Sequence, residues 1–131
     1  MIGLDTNVLV RYLAQDDPAQ SPKATELIER RLTEDEPGFI SVVAMVEVAW
    51  VLERAYGLAD QEIAAAIEGV LQAEVLVVEN EQEVFTAMIA LKAGRGSFAD
   101  ALIGALNAKA GCSRTLTFDR RAQRLAGFEL L

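Results

Sequence analysis

The sequence predicts an α/β fold, a parallel sheet covered by helices on both faces. Short apolar runs alternate with helical segments along the chain, which is how strands buried on both faces are spaced by crossover helices. The 131 residues are 52% hydrophobic and 24% charged, the balance of one globular domain spanning 1–131. No apolar run reaches the ~18 residues that would cross a membrane.

Each element follows from local signals. Ile2 to Leu4 is an apolar strand ending in Asp5-Thr6-Asn7, where Thr6 or Asn7 is expected to cap a helix running to Ala14. Asp16-Asp17-Pro18 breaks it. Ser21-Pro22 is expected to open a second helix, a cap residue followed by proline, reaching about Leu32. Glu36-Pro37-Gly38 is a turn and Phe39-Ile40 a short strand. Ser41 caps a helix running to Tyr56 and stopped by Gly57, and Asp60 is expected to cap the next, to about Gln72. Val75 to Val78 is a β-branched strand, and Gln82 to Lys92 is helical. Gly94 and Gly96 interrupt, Ser97 caps a helix to Ala110, and Gly111 stops it. Thr115 to Phe118 is a strand, Asp119 to Arg124 a helical turn or two, and Phe128 to Leu131 a last strand.

Residue counts exclude much chemistry. The chain has no histidine and one cysteine, Cys112. Ser-His-Asp and Cys-His catalysis, HExxH zinc sites and CxxC redox pairs are therefore absent. A lone thiol and an N-terminus without a basic, apolar leader predict a cytoplasmic protein without a signal peptide. An enzyme built from what remains relies on carboxylates, hydroxyls or a hard metal held by oxygen.

Four acids stand out from the solvated charges around Glu26 to Glu36. Asp5 and Asp119 each follow an apolar strand, where α/β folds bind ligands, although either could simply cap a helix. Glu47 is the only charge from Val42 to Leu52, on a helix apolar nearly all round and therefore expected to be buried. Its alternative is a structural ion pair. Asp100 is the only charge between Gly96 and Ala108 and shares a stripe with Gly104 and Asn107, at about 100° per residue. Its alternative is an acid favoured by the helix dipole. Acids brought together without a cation repel, so the shared solution is Mg²⁺ or Mn²⁺, working on a phosphate substrate.

These residues resemble the PIN-domain ribonucleases, and within them the VapC-type toxins of bacterial toxin–antitoxin pairs. The likeness runs over essentially the whole chain. It rests on Ile2-Gly3-Leu4-Asp5-Thr6-Asn7, on Ile40-Ser41 six residues before Glu47, on Phe98-Ala99-Asp100-Ala101-Leu102-Ile103, and on Leu116-Thr117-Phe118-Asp119 before an Arg-rich turn and a final strand. The resemblance implies a three-layer α/β/α sandwich with a central parallel sheet of four or five strands. It implies that Asp5, Glu47, Asp100 and Asp119 are the catalytic quartet holding Mg²⁺ or Mn²⁺, with Asp119 the most variable member. Thr6, Asn7 and Thr117 would orient these acids. It further implies in-line hydrolysis of RNA leaving a 5′-phosphate and a 3′-hydroxyl, a cognate antitoxin protein as partner, and a homodimer.

A net charge of −8 argues against a nucleic-acid binder, but the charge is uneven. Arg114 to Arg124 contains four arginines and one aspartate, a local balance of +3. Arg95, Arg114, Arg120 and Arg121 are accordingly expected to contact RNA. Trp50, Val51 and the helix from Ala64 to Leu71 carry more apolar residues than one face needs and are expected to meet a sister subunit or an antitoxin peptide. The competing readings are an inactive or DNA-binding PIN-like module acting with an antitoxin, and a receiver-like signalling domain. The latter needs paired acids after its first strand, and Asp5 has no acidic neighbour.

Overall fold

The computed structural model describes residues 1–131. In chain order the elements are β1 (Ile2–Gly3), α1 (Thr6–Ala14), α2 (Gln20–Glu26, continued by a π turn over Leu27–Arg31), β2 (Gly38–Ile40), α3 (Val42–Arg54), α4 (Asp60–Gln72), β3 (Leu76–Val78), α5 (Glu81–Lys92), α6 (Phe98–Lys109), β4 (Thr115–Thr117), a 3-10 turn (Ala122–Arg124) and β5 (Phe128–Leu130). Parallel strands alternate with helices, so the architecture is the α/β arrangement the alternation predicts.

The strands are all parallel but form two ladders. β2 lies between β1 and β3, with Gly38 opposite both Ile2 and Leu76, while β4 pairs with β5. The expected single sheet of four or five strands is thus divided into three strands and two. Strand length accounts for this. Ile2 and Leu4 both donate their amides to the β2 side, so only Gly3 faces the other way. Thr115 donates to Gly127, and Thr117 accepts from Leu131, so only Leu116 faces away from β5. A junction between β1 and β4 would rest on one residue from each strand.

The core is built mainly by helices packed on β2 and β3. Leu9, Ile40, Met45, Leu52, Ile63, Ile67, Met88 and Leu102 are completely buried and form one cluster. Ala64, Ile67 and Val70 of α4 belong to that core, so those apolar residues of the segment expected to meet a partner are interior, while Ala65 and Gly69 are exposed. Trp50, by contrast, is 58% exposed.

Helix starts are set by side chains. Ser41 accepts from the Ala44 amide and Ser97 from the Asp100 amide, at 3.2 and 3.1 Å, as expected for N-caps. Three expected caps are corrected. At α2 the acceptor is Asp17, whose Oδ1 takes the amides of Ala19 and Gln20 at 2.9 and 2.7 Å. Ser21 is buried, and its hydroxyl donates to the Arg11 carbonyl at 2.8 Å. Pro22 therefore sits inside the first turn, where its missing N–H still costs no helical hydrogen bond. At α4 the cap is Ala59, whose amide donates to Glu62 at 3.0 Å, and Asp60 is the first helical residue. At α1 Asp5 is the extended N-cap and Thr6 the first helical residue.

Candidate metal and nucleic-acid site

Asp5 lies two residues beyond β1 and Asp119 two residues beyond β4, so both sit at carboxyl ends of parallel strands. Glu47 occupies the second turn of α3, and Asp100 the first turn of α6. α3 and α6 pack against one another, which brings their acidic turns to the same side of the molecule.

Glu47 is exposed, not buried as expected. Ala44, Met45, Val48, Ala49 and Leu52 form the buried face of α3, and Val43, Glu47, Trp50 and Arg54 form the outer stripe. Two apolar residues on that stripe, Val43 and Trp50, conceal the helix's two-faced character in the sequence. Glu47 is held by Thr6 rather than by a cation: Thr6 Oγ1 donates to Glu47 Oε1 at 2.8 Å. The threonine is buried at the start of α1, so this bond ties the Asp5 corner to α3. Asn7 is exposed.

Asp100 and Asp119 line one groove of about 520 Å³ together with Trp50, Arg95, Arg121 and Arg124. Asp119 is fixed by its own turn. Its Oδ1 accepts from the Arg121 amide at 2.8 Å, and its amide donates to Thr117 Oγ1 at 3.0 Å. Thr117 therefore holds the backbone of Asp119. Asn107, on the Asp100 stripe, donates to Thr115 Oγ1 at 3.0 Å and so joins α6 to β4.

The expected acids thus fall into two pairs. Asp5 and Glu47 flank Thr6, and Asp100 and Asp119 share the groove; no three acidic side chains lie close enough to hold one ion. Like charges at 4 Å repel by about 1 kcal/mol even in water, so ionised carboxylates converge most readily around a cation. The donor set is nonetheless suited to a hard ion: carboxylates and a threonine hydroxyl, with no imidazole and the one thiol exposed elsewhere.

The arginines separate by strand direction. Arg95 and Arg121 line the groove, and Arg120 is exposed beside it. Arg114 precedes β4, at the end of the strand away from Asp119, and pairs with Glu129 at 3.0 Å. It does not line the groove. Arg124 is a wall residue that the sequence reading did not single out. Its signal was one 3-10 turn's spacing from Arg121, which returns it to the same side. Glu79 is another acid at a strand end, but it accepts from the Val42 amide at 2.9 Å and serves the start of α3.

No curated protein matches the chain. The family model of the PIN domain matches residues 2–128, and that span takes in all five strands as far as the start of β5, both acidic pairs and the arginine wall. The chain belongs to the PIN domain family, whose members are typically nucleases that use divalent metals.

Proposed function

We propose that this protein is a divalent-metal-dependent endoribonuclease and the toxin of a VapC-type toxin–antitoxin pair. The observation that carries the reading is the groove in which Asp100 and Asp119 face three arginines, Arg95, Arg121 and Arg124. That pairing of an acidic centre with a basic wall suits an RNA phosphate held over a cation.

In this reading Asp5, Glu47, Asp100 and Asp119 hold Mg²⁺ or Mn²⁺. When bound, the ion supplies the lowered water pKa and the charge neutralisation that phosphodiester hydrolysis needs. Thr6 fixes Glu47 through its hydroxyl, Thr117 fixes the Asp119 turn, and Asn7 flanks the Asp5 corner. Arg95 and Arg121 neutralise the substrate's phosphates, with Arg124 beside them and Arg120 at the rim. The pairwise placement of the acids requires side-chain rotation or a small approach of the two ladders when the ion binds.

The toxin assignment rests on the likeness of the Asp5, Glu47, Asp100 and Asp119 segments to that family. With it come a cognate antitoxin, a homodimer and action in the cytoplasm. No helix is long and apolar enough to cross a membrane. An apolar groove lined by Phe85, Ile89, Ala105 and Phe128 offers the surface for a protein partner.

Chelation tests the enzymatic claim. A short RNA incubated with the protein in excess EDTA should stay intact, and Mg²⁺ or Mn²⁺ should restore cleavage to 5′-phosphate products. Cleavage that continues unchanged in EDTA would sink the metal-dependent reading.

A further inference from the structure

Trp50 is the chain's one tryptophan and is 58% exposed on the outer stripe of α3. Its indole lines the same groove as Asp100 and Asp119. Arg54, one turn along α3, sits over the ring at 5.6 Å from its centroid and is not among the groove's wall residues. The guanidinium thus makes a cation–π contact with the indole.

All three arginines of the groove, Arg95, Arg121 and Arg124, lie on the α5–α6 turn and around the 3-10 turn, where Asp100 and Asp119 also sit, whereas the groove residues beside Trp50 on α3 and α4 include only acids, Glu53 and Asp60. A phosphate is attracted to the arginines and repelled by Glu53 and Asp60. A strand whose backbone follows the arginines has its bases in the groove that Trp50 also lines. An aromatic platform opposite a basic track is how single-stranded nucleic acid is held, because a base inside a duplex has no free face to stack. Glu53 and Asp60 carboxylates accept hydrogen bonds from an exocyclic amine, as on cytosine, whereas uracil offers only the single ring N3–H between two carbonyls that repel them.

We propose that this half of the groove is a base-binding subsite for single-stranded RNA, with the Trp50 indole as stacking platform and Glu53 and Asp60 as acceptors for the amine edge of the base. The proposal rests on the nuclease reading and adds the part of the substrate that the acids do not touch.

The single tryptophan makes the test direct. Wild-type protein in Mg²⁺ is mixed by stopped flow with a short single-stranded RNA, and Trp50 emission is followed in the first turnover alongside cleavage. Emission should fall with the base-bearing strand and stay unchanged with an abasic ribose-phosphate strand of equal length. Trp50→Ala should weaken binding about tenfold with an unchanged salt slope, and Trp50→Phe should retain most of the affinity. A cytidine strand should bind more tightly than a uridine strand, and the difference should shrink in the Glu53→Ala/Asp60→Ala variant.

Other outcomes separate the two claims. If wild-type protein cleaves RNA while Trp50 emission stays constant, or Trp50→Ala binds normally, stacking is overturned, the nuclease reading stands, and the indole is left for a protein partner. Equal affinity for cytidine and uridine strands overturns the amine-edge assignment. If no RNA binds or is cleaved, the nuclease reading fails and the subsite fails with it.

Discussion

At the scale of single residues, the Thr6–Glu47 bond decides how far the acidic corner is ordered. A carboxylate on the outer stripe of a helix would otherwise sample several rotamers, and one 2.8 Å bond from a buried hydroxyl selects among them. Groups that orient a metal ligand typically contribute 10–100-fold to metal affinity or activity. Thr6→Val keeps the shape of the side chain and removes the donor. We expect cleavage to fall within roughly that 10–100-fold range, while thermal unfolding changes little because Glu47 remains solvated. Thr6→Ser should recover most of the activity. A Thr6→Val enzyme as active as its parent would reduce the bond to a packing detail.

Asp17 gives a second residue-scale prediction. Its carboxyl is held below the usual carboxylate range, first by the Gln20 amide, then by the Ala19 amide, and further by the nearby Arg11 charge. A depressed folded-state pKa means that this contribution to stability is present above the unfolded value, near 4, and is lost as pH falls through the folded value. Asp17→Ala should therefore lower the melting temperature at pH 7, and the gap to wild type should close as pH drops below about 4. Glu34 runs the other way. Its carboxyl is raised by a hydrogen bond and charge from Glu74, so it opposes folding at neutral pH and ceases to do so once it is protonated. Glu34→Gln should raise the melting temperature at pH 7 and leave it unchanged near pH 3.

At the scale of elements, α6 carries Asp100, and its placement depends on a missing side chain. A Cβ at Gly104 would lie 2.5 Å from Cε1 of Phe128 on β5. Gly104→Ala should destabilise the fold by ~1–3 kcal/mol through overpacking. Pairing it with Phe128→Leu should return part of that loss in a double-mutant cycle measured by urea unfolding. Additive losses would show that α6 and β5 do not meet there.

Much at this scale was readable from the chain. Ser41 and Ser97 precede apolar helices without competing caps, and both act as expected. Ser21-Pro22 misled because proline is tolerated anywhere in a first turn, so the dipeptide fits a helix that begins earlier. Glu47 misled because Val43 and Trp50 occupy solvent-facing positions, and periodicity cannot reveal which apolar residues a fold leaves outside. Arg114 and Arg121 look equivalent in a basic run. Only the direction of β4 separates them: the two arginines, seven residues apart in chain order, lie beyond opposite ends of that strand. Pairing between strands has no local signal at all, so the division into two ladders is not legible in the sequence.

At the scale of the whole molecule, the proposed function requires an acidic protein to hold RNA and two pairs of acids to become one site. Net charge of −8 disfavours association at long range, so binding should depend on the local arginine wall. Replacing Arg121 and Arg124 with alanine should weaken RNA binding and flatten its salt dependence, since each lost contact releases fewer counterions, and leave the chemical step at saturating RNA less affected. In the proposed site Asp5, beyond β1, and Asp100, on α6, share an ion. Titration calorimetry with Mn²⁺ on wild type, Asp5→Asn, Asp100→Asn and the double variant tests it most directly. If the ion is shared, each single variant loses most of the affinity and the double variant loses little more, a large departure from additivity. Wild-type binding no tighter than that of the double variant, or losses that simply add, would contradict a common metal site.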